Sequence, residues 1–375
     1  MKITATGRAA DFPEGEKTVA LLMSGGVDSS VAALLLKRDG WNVVGITMRI
    51  PDGRGNIAET GDAAARVAAE LGIPHFVVGL EEAFVHMVVD VFRREYRAGR
   101  TPNPCADCNR DIKFGLLVDA VDELAGRPMP VATGHYARIL RSGGDAWLAR
   151  GLNEARDQSY FLCGLRCDRL ARIFFPLGAV SKEEVRALAS DAGMAVAERA
   201  DSMEACFLRG EDYRLAERAR PGDIVDRNGT VLGRHDGIFR YTIGQRKGLG
   251  IASPEPLYVL GLNTKRNEVL VGGRAEAYVG EVRARRPNLL ASDRLDRPLY
   301  GKTRSRSPLV PCRMLNLDEE ELRVSFDVPQ FAPAPGQRLV LYDGEGVVVV
   351  SGVIAQFSGG SGADRDSAPL EGECI

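Results

Sequence analysis

Three hydroxyls around a glycine pair and three spaced cysteines are the residues of this chain whose types could do chemistry. The first group is Ser24-Gly25-Gly26-Val27-Asp28-Ser29-Ser30, set between the apolar runs 19–23 and 31–36. Paired glycines let a backbone approach a ligand closely and turn its N–H groups inward. The hydroxyls of Ser24, Ser29 and Ser30 add donors, and the start of a helix adds partial positive charge. Such a turn suits phosphate. Asp28 falls in the first helical turn, where its charge suits the helix dipole or could hold Mg2+ beside phosphates. Neither the Gly-Lys-Ser/Thr of a Walker A loop nor G-x-G-x-x-G is present. The plainer alternative is an ordinary strand-to-helix turn with a Ser/Asp cap.

The second group is Thr101-Pro102-Asn103-Pro104-Cys105-Ala106-Asp107-Cys108-Asn109. Its Cys-x-x-Cys alone reads as a redox pair, half of a zinc site, or a nucleophile. The prolines fix a rigid turn into a helix expected from about Asp111. That helix start, with Arg110 and Lys113, should lower a thiol's pKa. Cys206, within residues 201–207, reads by itself as buried apolar filler, as do Cys163, Cys167, Cys312 and Cys374. His135, directly after Gly134 at the end of a strand, reads as a site residue, the alternative being a core histidine.

The elements around these residues alternate. Strands are expected at 19–23, 41–48, 74–80 and 129–133, and helices from Val31, at 62–71, 82–97, 111–125 and 182–192. This pattern predicts a doubly wound parallel sheet, with ligands at the carboxyl ends of its strands. Residues 1–16 read as a frayed lead. From about Pro221 short alternating strands with glycine-rich turns take over, and after about Gly280 the pattern is all-β. The expected fold class is α/β: residues 1–212 form a nucleotide-binding domain, 213–280 a small linking domain, and 281–375 a C-terminal β-barrel.

A chain of 375 residues fits two or three domains. A net charge of −2 argues against a general DNA-coating protein but leaves room for a local RNA-binding patch. Seven cysteines without a secretion signal point to reduced thiols in the cytoplasm. No apolar run reaches the length of a membrane span, so no membrane partner is expected.

SGGVDSS resembles the PP-loop of the ATP pyrophosphatases, which release pyrophosphate and leave an adenylylated substrate. Further motifs follow in order: TPNPCADCN with Lys113-Phe114 behind it, GHYAR (134–138), RDQSYFL (156–162), DSMEACF (201–207) and YTIGQRKGLGI (241–251). Together, from about residue 18 to the end, they resemble the bacterial tRNA-specific 2-thiouridylases. The resemblance implies that the 2-oxygen of a wobble uridine in tRNA is adenylylated by ATP with Mg2+ and replaced by sulfur. It places the persulfide on Cys206 and the nucleophilic thiol at Cys108, with a transient Cys108–Cys206 disulfide as by-product. ATP contacts fall on Leu22, Met23, Ser24, Gly25, Gly26, Val27, Asp28 and Ser29, on Met48 and on Gly134. Contacts to tRNA fall on Asn103, Pro104, Cys105, His135, Arg156, Asp157, Gln158, Arg304, Ser305 and Gln337. Implied partners are the tRNA anticodon loop and a sulfur-carrier or cysteine-desulfurase protein.

Some relatives have Asp where this chain has Cys105, which leaves Asp107 as a candidate for the acidic role. Arg156 stands for a common Lys, Ser305 for Tyr, and Met203 for a polar residue. Residues 281–306 hold eight Arg or Lys against three acids, a basic stretch expected to line one side of the barrel for a phosphate backbone. The competing readings are a PP-loop ligase for another substrate, a non-catalytic nucleotide sensor, and an Fe–S variant with Cys105, Cys108 and Cys206 as ligands. A ligase or sensor has no use for two separated thiols.

Overall fold

The computed structural model describes residues 4–5, 12, 15, 17–51, 60–198, 206–207 and 220–356. Cys374 and Met203 lie outside them. Strands β2 (Thr18–Leu22) and β3 (Asn42–Arg49) are largely apolar, as strands covered on both faces must be. Alternate residues of β2 feed two cores: Val19 and Leu21 join Val31 and Val185, while Ala20 joins Ile46, Phe76 and Ile112. On one side of β2 lie β3 and then β4 (His75–Gly79); on the other lies β5 (Val131–Thr133), all parallel.

The edges are β1 (Thr4–Ala5), antiparallel to β4, and β8 (Ile173–Phe174), which follows the hairpin of β6 (Ala137–Ser142) and β7 (Asp145–Arg150). The order is β1-β4-β3-β2-β5-β8. The chain therefore winds outward from β2 and returns to its other side at β5. A crevice opens at such a reversal, beyond the carboxyl ends of β2 and β5. The expected frayed lead is corrected in part: Thr4 and Ala5 pair with Gly79 and Val78, and Phe12 is buried, its ring 4.8 Å from that of Phe76.

The helix expected from Asp111 begins at Pro104 instead. Asn103 accepts the Ala106 N–H at 3.2 Å as N-cap, and Pro104 takes the first position, where its missing N–H costs nothing. Cys108–Leu116 winds as a π-helix, kinks at Gly115 and continues as the α-helix Leu117–Ala125. Arg169 Nη1 donates to the carbonyls of Phe114 and Gly115 (2.7 and 3.2 Å) around that kink.

The linking domain is a four-stranded sheet of β9 (Gly222–Val225), β10 (Val231–His235), β11 (Tyr258–Asn263) and β12 (Glu268–Gly272). The C-terminal strands are β13 (Tyr278–Leu289), β14 (Leu299–Lys302), β15 (Val310–Leu317), β16 (Glu321–Phe331), β17 (Arg338–Asp343) and β18 (Val348–Gln356). They close into the expected barrel in the order β13-β16-β15-β14-β17-β18. Strand β17 is buried on both faces. Leu339 and Leu341 fill the barrel, while Val340 and Tyr342 pack on Phe114, Tyr160 and Cys163 of the N-terminal domain. The barrel is thus docked through buried apolar surface, the strongest non-directional attachment available.

Candidate active site

The glycine-rich loop leaves β2 at the crevice. Ser24 N–H donates to Ser29 Oγ (3.3 Å), and Ser29 Oγ donates to the Gly26 carbonyl (3.1 Å). Gly26 is the N-cap of the helix Val27–Arg38, and no side chain caps it. Its first N–H groups suit an anion, as phosphate binding requires. Gly25 has φ +70°, and a Cβ there would lie 2.7 Å from Ala63 Cβ. Met23 is buried between Ile46 and Thr47, whose hydroxyl donates to its carbonyl at 2.9 Å. Leu22 and Met48 pack on the core with Ile46, and Val27 on the opposite one.

Asp28 is held more tightly than its place in a first helical turn implies. Its Oδ1 accepts from the Tyr136 hydroxyl and from Lys182 Nζ, both at 2.7 Å. Lys182 is 4 % exposed, and a buried ammonium requires such a partner. The carboxylate ties the loop to the turn after β5 and to the helix Lys182–Asp191. The sequence singles out neither Tyr136, inside GHYAR, nor Lys182, at the start of the helix 182–192, as a site residue.

Gly134 completes the crevice. A Cβ on it would lie 2.8 Å from the Asp28 carbonyl carbon and the Ser29 nitrogen. Gly134→Ala should push the two loops apart, costing about 1–3 kcal/mol of stability and at least about tenfold in ATP affinity, equivalent to 1.4 kcal/mol. Thermal unfolding and calorimetric ATP titration check this; unchanged ATP affinity would separate Gly134 from the nucleotide.

His135 Nδ1 lies 2.7 Å from Thr133 Oγ1, and the ring packs near Phe114 and Phe175. Burial, and then the nearby Lys113 ammonium, hold its pKa well below the ordinary histidine value, so the ring is neutral at pH 7. Lys113 also faces the thiols: it favours the thiolates of Cys105 and Cys108. Burial outweighs that attraction at both. The Cys105 thiol is raised and Cys108 is pushed up to about 12. The expected lowering is corrected accordingly. Arg110, expected to help, is engaged instead by Asp111 (2.6 Å) and Asp107 (3.3 Å).

Cys206 is exposed, and close enough to Cys105 and Cys108 for its charge to bear on both. Its neighbour explains the placement. Phe207 is buried in the core that contains Cys108, with ring centroids 5.8 Å from Phe84 and 5.3 Å from Phe92. Cys206 is therefore not filler. The described cysteines are thiols. Among the described residues no group of three or more His, Cys, Asp or Glu is arranged to hold a metal ion.

Half of the side chains expected at the tRNA work within the protein. Asn103 caps a helix. Asp157, its side chain 1 % exposed, accepts from Gly151 N–H, Ser159 N–H, Ser159 Oγ and Arg150 Nε at 3.0–3.3 Å. Gln158 Oε1 accepts the Tyr136 N–H at 2.9 Å. Gln337 Nε2 donates to the Thr101 carbonyl (2.9 Å), and Thr101 N–H donates to the Pro335 carbonyl (2.7 Å). Arg304 Nη2 donates to the carbonyls of Ile243 (2.8 Å) and Ala332 (2.7 Å), strapping the linking domain to the barrel. Cys105 and Arg156 are exposed, and Pro104, His135 and Ser305 half-buried.

Asp107 is no free acid, contrary to the expectation. Its Oδ1 pairs with Arg338, which is 4 % exposed and whose N–H and carbonyl both bond the Tyr160 hydroxyl (3.0 and 2.8 Å). The segment 335–338 of the barrel thus grips 101–107. The basic stretch is thinner than its composition. Arg283 lies 3.6 Å from Glu281, Arg294 and Arg297 pair with Asp343 and Glu345, and Lys302 is buried. Arg285, Arg286 and Arg306 remain exposed.

Comparison with known proteins follows this domain order. Residues 17–210 match a family described as "tRNA methyl transferase HUP domain", 212–273 a "tRNA methyl transferase PRC-barrel domain", and 279–354 an "Aminomethyltransferase beta-barrel domain". A tRNA-specific 2-thiouridylase of Geotalea uraniireducens is 46% identical over 352 residues, covering 88% of this chain and 93% of its own. Proteins of the same description from Geobacter metallireducens (43%, covering 89% and 96%) and Nostoc punctiforme (40%, covering 91% and 100%) are similar along nearly their whole length. The methyl-transferase label and the thiouridylase descriptions differ on the group transferred; the near full-length relatives are the more specific.

Proposed function

The chain belongs to the tRNA-specific 2-thiouridylase family, and from that premise we propose that it thiolates the wobble uridine of tRNA by adenylylation followed by persulfide transfer. The observation that supports this reading is the placing of Cys105 and Cys108 near both Lys113 and Cys206, beside a neutral His135 that adjoins the glycine-rich crevice. Carbonyl oxygen is a poor leaving group and AMP a good one. ATP, with Mg2+, lies on residues 22–29, Met48 and Gly134. The uridine 2-oxygen attacks its α-phosphorus and pyrophosphate leaves.

Sulfur reaches Cys206 as a persulfide from a donor protein. Cys108, pushed up to about 12, is almost entirely protonated at pH 7. The exposed persulfide is therefore the first nucleophile. Its terminal sulfur bonds to C2. Cys108 Sγ then loses its proton and attacks Cys206 Sγ. The sulfur–sulfur bond breaks, its electron pair forms the thiocarbonyl, and AMP departs with the pair of the carbon–oxygen bond. The products are 2-thiouridine, AMP, pyrophosphate and a Cys108–Cys206 disulfide.

A base in an anticodon loop must be turned out to be reached. Asn103, Pro104, Cys105, His135, Arg156, Asp157 and Gln158 frame the place it would enter, Gln337 braces that frame from the barrel, and Arg304 and Ser305 contact the tRNA from the barrel side. Incubation with unmodified tRNA, ATP and a persulfide donor should give 2-thiouridine. A product lacking sulfur would reject the reading.

Arg285, Arg286 and Arg306 are the barrel cations positioned for a phosphate backbone. Their joint replacement by Ala should flatten the plot of log affinity against log salt by about two units, at ~0.7–0.9 per phosphate contact. Filter binding across a salt series measures this. An unaltered slope would remove the barrel from RNA recognition. Among the described residues no helix is long and apolar enough to cross a membrane.

A further inference from the structure

Cys105 frames the base's entry but forms and breaks no bond in the transfer just described, yet it stands one helical turn before Cys108. Residues 104–107 are α-helical and Cys108 keeps helical angles (φ −59°, ψ −42°). Positions i and i+3 of such a turn have Cα atoms about 5 Å apart, inside the ~4.4–6.8 Å range that a disulfide spans. The two residues differ in exposure, Cys105 lying at the surface and Cys108 buried, although lost hydration raises both thiols and Cys108 the further, to about 12. The charge of Cys206 bears on both, and Lys113 attracts both. One residue of this cluster is thus at the surface and within a turn of the sulfur that ends each cycle oxidised.

We propose that Cys105 is a resolving thiol that regenerates Cys206 after each sulfur transfer. The inference rests on the Cys108–Cys206 disulfide of the proposed function. Cys105 Sγ loses its proton to solvent and attacks Cys108 Sγ. The Cys108–Cys206 bond breaks as the Cys105–Cys108 bond forms, and Cys206 leaves as a thiolate, ready for the next persulfide. No electrons enter or leave in this exchange. A dithiol reductant from solution then reaches the new disulfide through exposed Cys105, is itself oxidised to its disulfide, and returns both thiols. A thiol one turn away competes well with a dilute external one, because its approach is prepaid by the fold. The sulfur acceptor is thereby cleared without a reductant entering the tRNA-bound site.

The test is one turnover of the full-length persulfidated protein with ATP and unmodified tRNA, without reductant. Acid quench, thiol blocking and non-reducing peptide mapping follow. The expected wild-type product is a Cys105–Cys108 disulfide with Cys206 blocked as a thiol, and Cys105→Ser should stop at Cys108–Cys206. With excess persulfide donor and a dithiol, the ratio of steady-state to first-turnover rate should fall at least tenfold in Cys105→Ser. That ratio cancels any effect of the substitution on the first turnover. Wild type that retains Cys108–Cys206 as its sole disulfide overturns the proposal, whatever the variant does. A variant that thiolates tRNA yet forms no disulfide at Cys108 overturns the underlying reading instead. An iron–sulfur chromophore held by all three cysteines would also overturn the resolving role.

Discussion

Cys206→Ser should lower 2-thiouridine formation by about 10^3-fold or more, because it removes the atom that carries sulfur. The loss should be confined to chemistry. Cys206 is exposed, so a serine there changes stability little, and Phe207 still anchors the segment. ATP binding should persist and adenylylated tRNA should accumulate. Cys108→Ser should fail at a different stage, with persulfide retained on Cys206. That variant places a hydroxyl among apolar neighbours, a cost of about 1–3 kcal/mol, so its folding is checked by circular dichroism beside the assay. Mass spectrometry of the tRNA and of the thiol peptides separates the two blocks. Normal turnover by Cys206→Ser would sink the persulfide assignment.

The second large effect lies away from the reacting atoms. Arg338→Met should destabilise the protein by about 3 kcal/mol, since removing one partner of a buried ion pair strands the other. Arg338 is 4 % exposed and Asp107 adjoins Cys108 in the chain. Arg110, 3.3 Å from Asp107, limits the damage. The double variant Arg338→Met, Asp107→Leu should recover most of the stability, because it leaves no unpaired charge. Thermal and urea unfolding of the four proteins gives the coupling. Additive losses would mean that the barrel does not grip the cysteine turn through this pair. Single-turnover thiolation should fall with the single variant, through misplacement of Cys108.

The parallel sheet was legible because β2 and β3 are continuous apolar runs flanked by a glycine-rich turn and helical spacing. The barrel was legible from alternation and tight turns such as Asp343–Gly346. The π-helix at Cys108–Leu116 was not, since its i+5 bonding leaves no mark on a 3.6-residue period. The thiol pKa was misjudged for a related reason. Charge near Cys108 can be read along the chain, whereas its burial depends on Phe84, Phe92 and Phe207 arriving from distant segments. Lys182 meets Asp28 across 154 residues, and Arg304 meets Ile243 across 61. In the sequence each is a cation among polar neighbours, and only tertiary packing decides that it is a strut. Asn103 and Asp157 were found as positions, while their work as caps required the local backbone.

The most direct measurement follows labelled sulfur. The protein is loaded with 35S persulfide, freed of donor, and mixed with unmodified tRNA and ATP. The account predicts that 35S moves from Cys206 into wobble 2-thiouridine, with one AMP and one pyrophosphate per label and a Cys108–Cys206 disulfide, or its Cys105–Cys108 successor, on the protein. Label that stays on Cys206 while AMP and pyrophosphate form, or transfer that needs no ATP, would contradict it.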